Sequence, residues 1–438
     1  MRNTLLAGLI ASAFLCLNAA ATDLVQIYKD ALQNDAQFAS ARSAYTAGQE
    51  KLVQGRAGLL PGVRLSGSDS RSDTSADFNN GKTASGVSVT NSWSLALSQP
   101  LFNWNNWQQY EQSKLALLVS DAQFAQAKQD LLVRVAQAYF DVLAAQDTLT
   151  TLRAQKTAIA EQLASAKRNF EVGTSTITDT HEAQARFDLV TAQEFAGQSD
   201  LEVKRYALRQ IIGRDAGDLA SLKPGVKLSA PQADINQWVS SAERQNYGVV
   251  SSQVAVEIAK RDIEKSKSGH YPTVDLVAST GRSSSTGVGI QSPSVTRPTT
   301  IGIQWNVPIF SGFAVDSRVK ESIALEEKAR NDLEANRRAA SQGARQAFVG
   351  VTSGLAQVKA LEAAEISSQS ALDSNKLGYE VGLRINIDVL NAQQQLYTTR
   401  QNLAKARYDT ILNGLRLKNA AGNLKEEDLA EVNALLQN

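Results

Sequence analysis

The sequence predicts a mainly helical protein that carries a transmembrane β-barrel portion, built from two tandem copies of one unit. Three observations point there. A turn-like stretch, Phe170–Asp179, returns 209 residues later as Tyr379–Asp388. Each copy has a pair of long stretches in which apolar and polar residues alternate. Each also has a proline-free run in which apolar residues recur at three and four.

The duplication holds along most of the chain. Gln137 and Tyr139 map onto Gln346 and Phe348, and Gly213 maps onto Gly422, at the same 209-residue offset. Small slippages at Pro61/Pro272 and Pro100/Pro308 fall where loops absorb insertions. The copies span 22–213 and 232–422, with a Gly- and Pro-containing linker at 214–231 and an acidic, partly helical tail at 423–438.

Residues 1–21 read as a secretory signal peptide. Arg2 precedes an apolar run from Leu5 to Leu17, and Ala19–Ala21 is a small-residue cleavage site. A membrane anchor would need a longer run. The single cysteine, Cys16, lies inside this segment, so the mature chain has no thiol, disulfide or cysteine metal site. Removing Arg2 leaves 44 basic against 44 acidic residues, without the basic excess of a nucleic-acid binder. No later run of 18 apolar residues marks a transmembrane helix.

In chain order, Asp23–Arg56 reads as one helix, with Leu24, Ile27, Tyr28 and Ala31 on one stripe, ending before Gly58 and Pro61. From Gly62 the period changes to two. Val63 and Leu65 face one way, Arg64 and Ser66 the other. Ser68–Gly86, rich in Ser, Asp, Asn and Gly, reads as a loop. Alternation resumes with Val87, Val89, Trp93, Leu95 and Leu97. The second copy repeats this as a helix over Ile235–Lys267, a strand from Val274, and a loop over Ser283–Pro298. The last strand carries Ile301, Ile303, Trp305, Val307 and Ile309.

Such strands are long enough to cross an outer membrane when tilted. Four strands leave two open edges, which lipid does not tolerate, so copies of the chain must pool strands, eight from two copies or twelve from three. Trp93, Trp104, Trp107 and Trp305 suit an interfacial aromatic belt.

The runs Asn105–Val172 and Phe313–Val381 carry a coiled-coil stripe. In the first it passes through Val135, Val142, Leu149, Leu152, Ile159, Leu163 and Phe170, interrupted by Lys156. Some 68 residues at 1.5 Å rise make a helix of about 100 Å. The return helices start near Asp179 and Asp388, and the second keeps a seven-residue step at Val389, Leu396, Leu403, Thr410 and Leu417. Gly173 and Gly382 mark the reversals. Lys156 and its counterpart Glu365 have opposite charge at one level: they either pair between hairpins or stand as two solvated charges.

The leader, the duplication, the strand pairs and the motif Tyr-x-Val-Gly-x-Arg-x-x-x-Asp at Tyr379–Asp388 resemble the TolC family of outer-membrane efflux channels. The resemblance implies a homotrimer in the outer membrane of a Gram-negative bacterium, with a twelve-stranded barrel and a twelve-helix periplasmic tunnel. It also implies a periplasmic adaptor and an inner-membrane pump of RND, ABC or MFS type, for efflux or type I secretion by passive conduction. The hairpin turns would form the closed entrance, Tyr379 and Arg384 bonding Thr178 and Asp179 on a neighbouring hairpin. Two aspartate rings would line the constriction. Asp388 supplies the first, but Asn391 stands at the second, which weakens cation preference and cation block.

No enzymatic constellation emerges. His181 and His270 are the only histidines, and His181 beside Glu182 is a poor metal site without a cysteine or a second nearby histidine. There is no phosphate loop or serine elbow, and no cofactor is implied. A periplasmic coiled-coil adaptor would lack the strands and the duplication. A structural or adhesive barrel protein would need no gate.

Overall fold

The computed structural model describes residues 21–437 apart from 78, 80, 82, 232 and 288–293. The leader assigned to 1–21, Cys16 included, therefore lies outside the described residues but for Ala21.

The elements recur in one order. Two short helices, α1 (Leu24–Asn34) and α2 (Ala36–Ala57), lead into strands β1 (Gly62–Asp77) and β2 (Thr83–Phe102), then into helices α3 (Trp104–Glu171) and α4 (Ile177–Ile212). The second set is α5 (Ile235–Gln245), α6 (Tyr247–Lys267), β3 (Thr273–Gly287), β4 (Ser294–Thr296), β5 (Thr299–Asn306), α7 (Ala314–Glu380) and α8 (Asn386–Ala420). A last helix, α9 (Glu426–Asn433), occupies the tail. Among the described residues no helix is long and apolar enough to cross a membrane.

The chain forms two compact units, and each draws on both halves of the sequence. One comprises the chain up to Ala39, Lys128–Trp238 and Ala344–Asn438; the other comprises Ser40–Ala127 and Val239–Gly343.

In the first unit, the predicted stripe on α3 is the core. Val135, Val142, Leu149, Leu152, Ile159 and Leu163 are all buried, as are Val389, Leu396, Leu403, Thr410 and Leu417 on α8. The stripe ends early, for Phe170 is 43% exposed at the turn. Tyr139, wholly buried, donates its hydroxyl to the carbonyl of Ala220 at 2.7 Å. That anchors the 214–231 segment, which also accepts the main-chain nitrogen of Gln437 on Ser221 at 2.7 Å.

The two long leading helices expected from the sequence are each broken once. Asp35 ends α1 and then accepts the amide of Phe38 at 2.6 Å, while its carboxylate holds Arg134 at 2.7 Å. Asn246 does the same between α5 and α6, accepting the amides of Gly248 and Val249. A side-chain oxygen that satisfies the free amides of a new first turn starts a second helix inside a continuous apolar period.

The second unit holds one antiparallel sheet, in the order β1, β2, β3 and then β4 with β5. Both β4 and β5 pair with β3, at Ser283–Ser285 and Thr273–Thr280 respectively, so they form one strand interrupted at Arg297 and Pro298. Proline brings no N–H to a ladder. Its carbonyl instead accepts the Gly281 amide at 3.1 Å. Gly281 is needed for another reason: a Cβ there would lie 2.4 Å from the Trp93 carbonyl oxygen.

Several strand limits differ from the sequence expectation. Of the segments read as loops, Ser68–Gly86 is mostly strand among the described residues and Ser283–Pro298 holds strand at Ser283–Gly287 and Ser294–Thr296, because β1 runs to Asp77, β2 starts at Thr83 and β3 reaches Gly287. Their polar residues pair across the ladder, with hydroxyl contacts of 2.9 Å at Ser68/Ser92 and 3.0 Å at Thr90/Ser285. At the other end β5 stops at Asn306 and excludes Val307 and Ile309, since Pro308 cannot donate.

The register places one chemistry on each face. Val63 opposes Leu97, Leu65 opposes Leu95, Ala278 opposes Ile301 and Leu276 opposes Ile303. Leu97 also opposes Ala278, so the apolar side chains form one band across all strands. Ile301, Leu65 and Ile303 are 76%, 72% and 64% exposed. The alternate residues, Ser66, Ser94, Ser279 and Gly302 among them, make the other face polar.

Candidate gate at the hairpin turns

The two helical hairpins of the first unit reverse through matching turns. Gly173 and Gly382 adopt φ of 79° and 75°, the left-handed conformation that lets a helix end without a Cβ clash. In the first turn the amides of Thr174 and Ser175 bond the Asn169 carbonyl at 2.8 and 3.2 Å. In the second, Leu383 and Arg384 bond the Gly378 carbonyl at 2.8 and 3.0 Å.

The helices that follow start differently. Thr176 and Asp179 form a reciprocal capping box at the start of α4: the Asp179 amide donates to Thr176 Oγ1 at 3.3 Å and the Thr176 amide to Asp179 Oδ2 at 3.0 Å. Ile385 precedes α8 and offers no side-chain cap. Asn386 instead reaches the other hairpin. It is fully buried, donates Nδ2 to the Asp179 carbonyl at 3.0 Å and accepts Gln162 Nε2 at 2.6 Å.

Other side chains cross between the hairpins here. Asn169 on α3 donates to the Tyr379 hydroxyl at 3.2 Å. Arg186 on α4 donates to Asn391 Oδ1 at 2.9 Å and also to Gln394 on α8. Below them the packing is apolar: Leu390 joins Leu152, Ile159, Leu163 and Val190 in one cluster, while Val389 packs with Leu372, Leu396 and Tyr379.

Within one chain the sequence-predicted residues are arranged as follows. Arg384, in the turn before α8, points to Asp388 in the first turn of that helix, 3.8 Å away, with 59% of its side chain exposed. Asp179 is engaged by Thr176, Thr178 is exposed, and Tyr379 is held by Asn169. Asn391 is exposed on α8 and bonded by Arg186. Trp93 and Trp305 stand 48% and 71% exposed on their strands, and Trp107, 45% exposed, packs edge-on against Tyr110. Trp104 opens α3 with its indole N–H buried.

Lys156 and Glu365 do not pair with each other. Lys156 bonds Glu194 at 2.9 Å, shared with Arg153 at 3.2 Å, and Glu365 bonds Arg400 at 2.9 Å. Each charge finds a partner on the return helix of its own hairpin.

The family described as outer membrane efflux protein matches residues 27–214 and 238–423. The chain belongs to the outer membrane efflux protein family. The outer membrane protein TolC of Vibrio cholerae is 33% identical over 420 residues, covering 95% of this chain and 94% of that protein. The alkaline protease secretion protein AprF of Pseudomonas aeruginosa is 34% identical over 438 residues, covering 96% and 89%. Among solved structures, the CmeC outer membrane channel of Campylobacter jejuni has a TM-score of 0.79 at 18% identity, covering 94% of this chain and 90% of that one. The last comparison shows the fold, mainly helical with an antiparallel sheet. As a family member the protein resides in the outer membrane and serves as an exit duct for efflux or type I secretion.

Asn386, Asn169 and Arg186 are the site residues that sequence reasoning missed. A trace of them existed. At the 209-residue offset Asn386 stands where the first copy has Ile177, and Asn169 where the second has Gly378. A polar residue replacing an apolar one at a matched position is a sign of a contact that the repeat alone does not require.

Proposed function

We propose that three copies of the chain close one barrel and that the two hairpin turns of each form a gated periplasmic entrance, through which cargo passes without chemical change. The observation that carries this is the sheet. Among the described residues β1 pairs only with β2, and the strand made of β4 and β5 pairs only with β3, so each chain presents two unpaired edges beside an exposed apolar band. In lipid both edges must be paired, and joining edge to edge in a ring achieves it while leaving the serine-rich face toward a water-filled lumen. Trp93 and Trp305, with Trp104 and Trp107 beyond the second strand, then mark the membrane boundaries.

At the hairpin turns the closed state is held by polar contacts between hairpins. The bond between Arg384 and Asp388 within one chain spans 3.8 Å on an exposed surface. Such a pair is worth under about 0.5 kcal/mol, too little to keep an entrance shut. Arg384 therefore acts by reaching Thr178 and Asp179 of a neighbouring subunit, where Tyr379 adds a second donor. The turns also expose Val172, Val381, Leu383 and Ile385, at 72%, 60%, 81% and 61%, apolar surface suited to a periplasmic adaptor. Adaptor contact shifts a two-state equilibrium from closed to open, and the pump, of RND, ABC or MFS type, supplies the energy.

Planar-bilayer conductance tests the gate. Arg384→Ala should raise single-channel conductance and open probability well above the wild-type closed level. A variant as tightly shut as the wild type would overturn the gate assignment and leave a structural barrel protein as the better reading.

A further inference from the structure

Arg186, like Arg416 on α8, has neutral amides rather than a carboxylate as its partners. Arg400, Arg407 and Arg153 each face a carboxylate, Glu365 at 2.9 Å, Glu362 at 2.7 Å and Glu194 at 3.2 Å. Arg186 donates instead to two neutral amides on α8, Asn391 Oδ1 at 2.9 Å and Gln394 Oε1. Among the described residues it makes no ion pair. Its position is set by the seam between the hairpins, where it borders a small cavity with Ile159, Leu189, Val190 and Leu390. Val190 and Leu390 are each 1% exposed, so the head group rests over packed core.

We propose that Arg186 is the charge-selectivity determinant of the entrance: it fixes a positive charge at the level of Asn391, one turn of α8 from Asp388. The inference rests on the reading that this part of α8 lines the constriction. A guanidinium stays protonated at any working pH, and an amide acceptor orients it without cancelling its charge. Moving from Asp388 to Asn391, an ion therefore meets a negative level and then a positive one. A carboxylate at 391 would be taken up by Arg186 as a two-pronged ion pair, so the pairing of Asn with Arg, rather than the loss of an acid alone, sets the local sign. The entrance should discriminate poorly between small cations and anions and resist block by multivalent cations.

The experiment is the cation-to-anion permeability ratio, from reversal potentials in a potassium chloride gradient across planar bilayers, on full-length protein. Arg186→Gln keeps a hydrogen-bond donor but removes the charge, and should raise the ratio about threefold. Arg186→Lys keeps the charge without the fork and should leave the ratio near wild type. Asn391→Asp alone should shift it little because the new carboxylate pairs with Arg186, whereas Asn391→Asp with Arg186→Gln should give the strongest cation preference and marked block by hexamminecobalt. Asp388→Asn separates the two levels of argument. If it leaves the ratio unchanged, α8 does not line the constriction and the underlying reading fails. If it lowers the ratio while Arg186→Gln does nothing, or while Gln and Lys at 186 act alike, the role of Arg186 is overturned.

Discussion

Replacing Asn386 by alanine should unlatch the entrance from within a single subunit. Its amide joins α8 of the second hairpin to both helices of the first, through Gln162 at 2.6 Å and the Asp179 carbonyl at 3.0 Å. Both bonds are made by a side chain with no exposed surface. Alanine removes them and leaves the Asp179 carbonyl and the Gln162 amide short of a partner. Each bond contributes about 1 kcal/mol net, with a further cost where the orphaned group stays dry, so the closed arrangement loses about 2 kcal/mol. If opening separates the hairpins, these bonds are already broken in the open state, and the loss appears in the gating equilibrium as a roughly thirtyfold rise in the open-to-closed ratio. Single-channel open probability measures it directly. Gln162→Ala, which breaks one of the two bonds, should give a smaller rise. Wild-type open probability in Asn386→Ala, with an unchanged melting temperature, would refute the assignment of these bonds to the closed state.

Two further predictions concern the two compact units. Gly281→Ala should block assembly, since its Cβ would sit 2.4 Å from the Trp93 carbonyl in the adjoining strand; folded oligomer in the outer-membrane fraction, assayed by semi-native electrophoresis, should be lost. Asp147, half-buried beside Tyr408, is held above its ordinary 3.8 by desolvation, with the 2.6 Å bond from the Tyr408 hydroxyl pulling the other way. Its protonated form is thus favoured on folding, and the associated stability is present at pH below 3.8 and lost as pH rises through the raised value. Asp147→Asn should melt above wild type at neutral pH, with the gap closing on acidification, as followed by circular dichroism. A gap independent of pH would contradict this.

The long elements were legible because one physical constraint repeats along each. A helix that buries a single stripe must place Val135, Val142, Leu149 and Ile159 at three and four, and a strand between lipid and water must alternate as Trp93, Leu95 and Leu97 do. Legibility failed where that constraint lapses. Beyond Ser68 both faces of β1 are polar, so no alternation marks the strand, and only the partners Ser92 and Thr90 reveal it. The breaks at Asp35 and Asn246 were hidden because a capping side chain interrupts backbone bonding without disturbing the apolar period.

At the gate, the glycine reversals were readable since left-handed backbone selects glycine. The cross-hairpin contacts were not, for Gln162 and Asn386 lie 224 residues apart and Arg186 and Asn391 205 apart. Nothing local announces such a partner. A bond between Lys156 and Glu365 failed on the same ground. Equivalence under a repeat gives the same height along a hairpin, whereas pairing needs adjacency, and Glu194 and Arg400 are the adjacent charges.

The unfinished sheet has a consequence for how the protein is made. A freshly exported subunit must cross an aqueous compartment with backbone donors and acceptors bare along β1 and β5 and with Leu65, Ile301 and Ile303 turned outward. Those rims recruit any extended chain as readily as a sister subunit. If subunits close a ring as proposed, biogenesis is a race between ring closure and sticky misassembly, one that rewards escort by a holding chaperone and punishes overproduction.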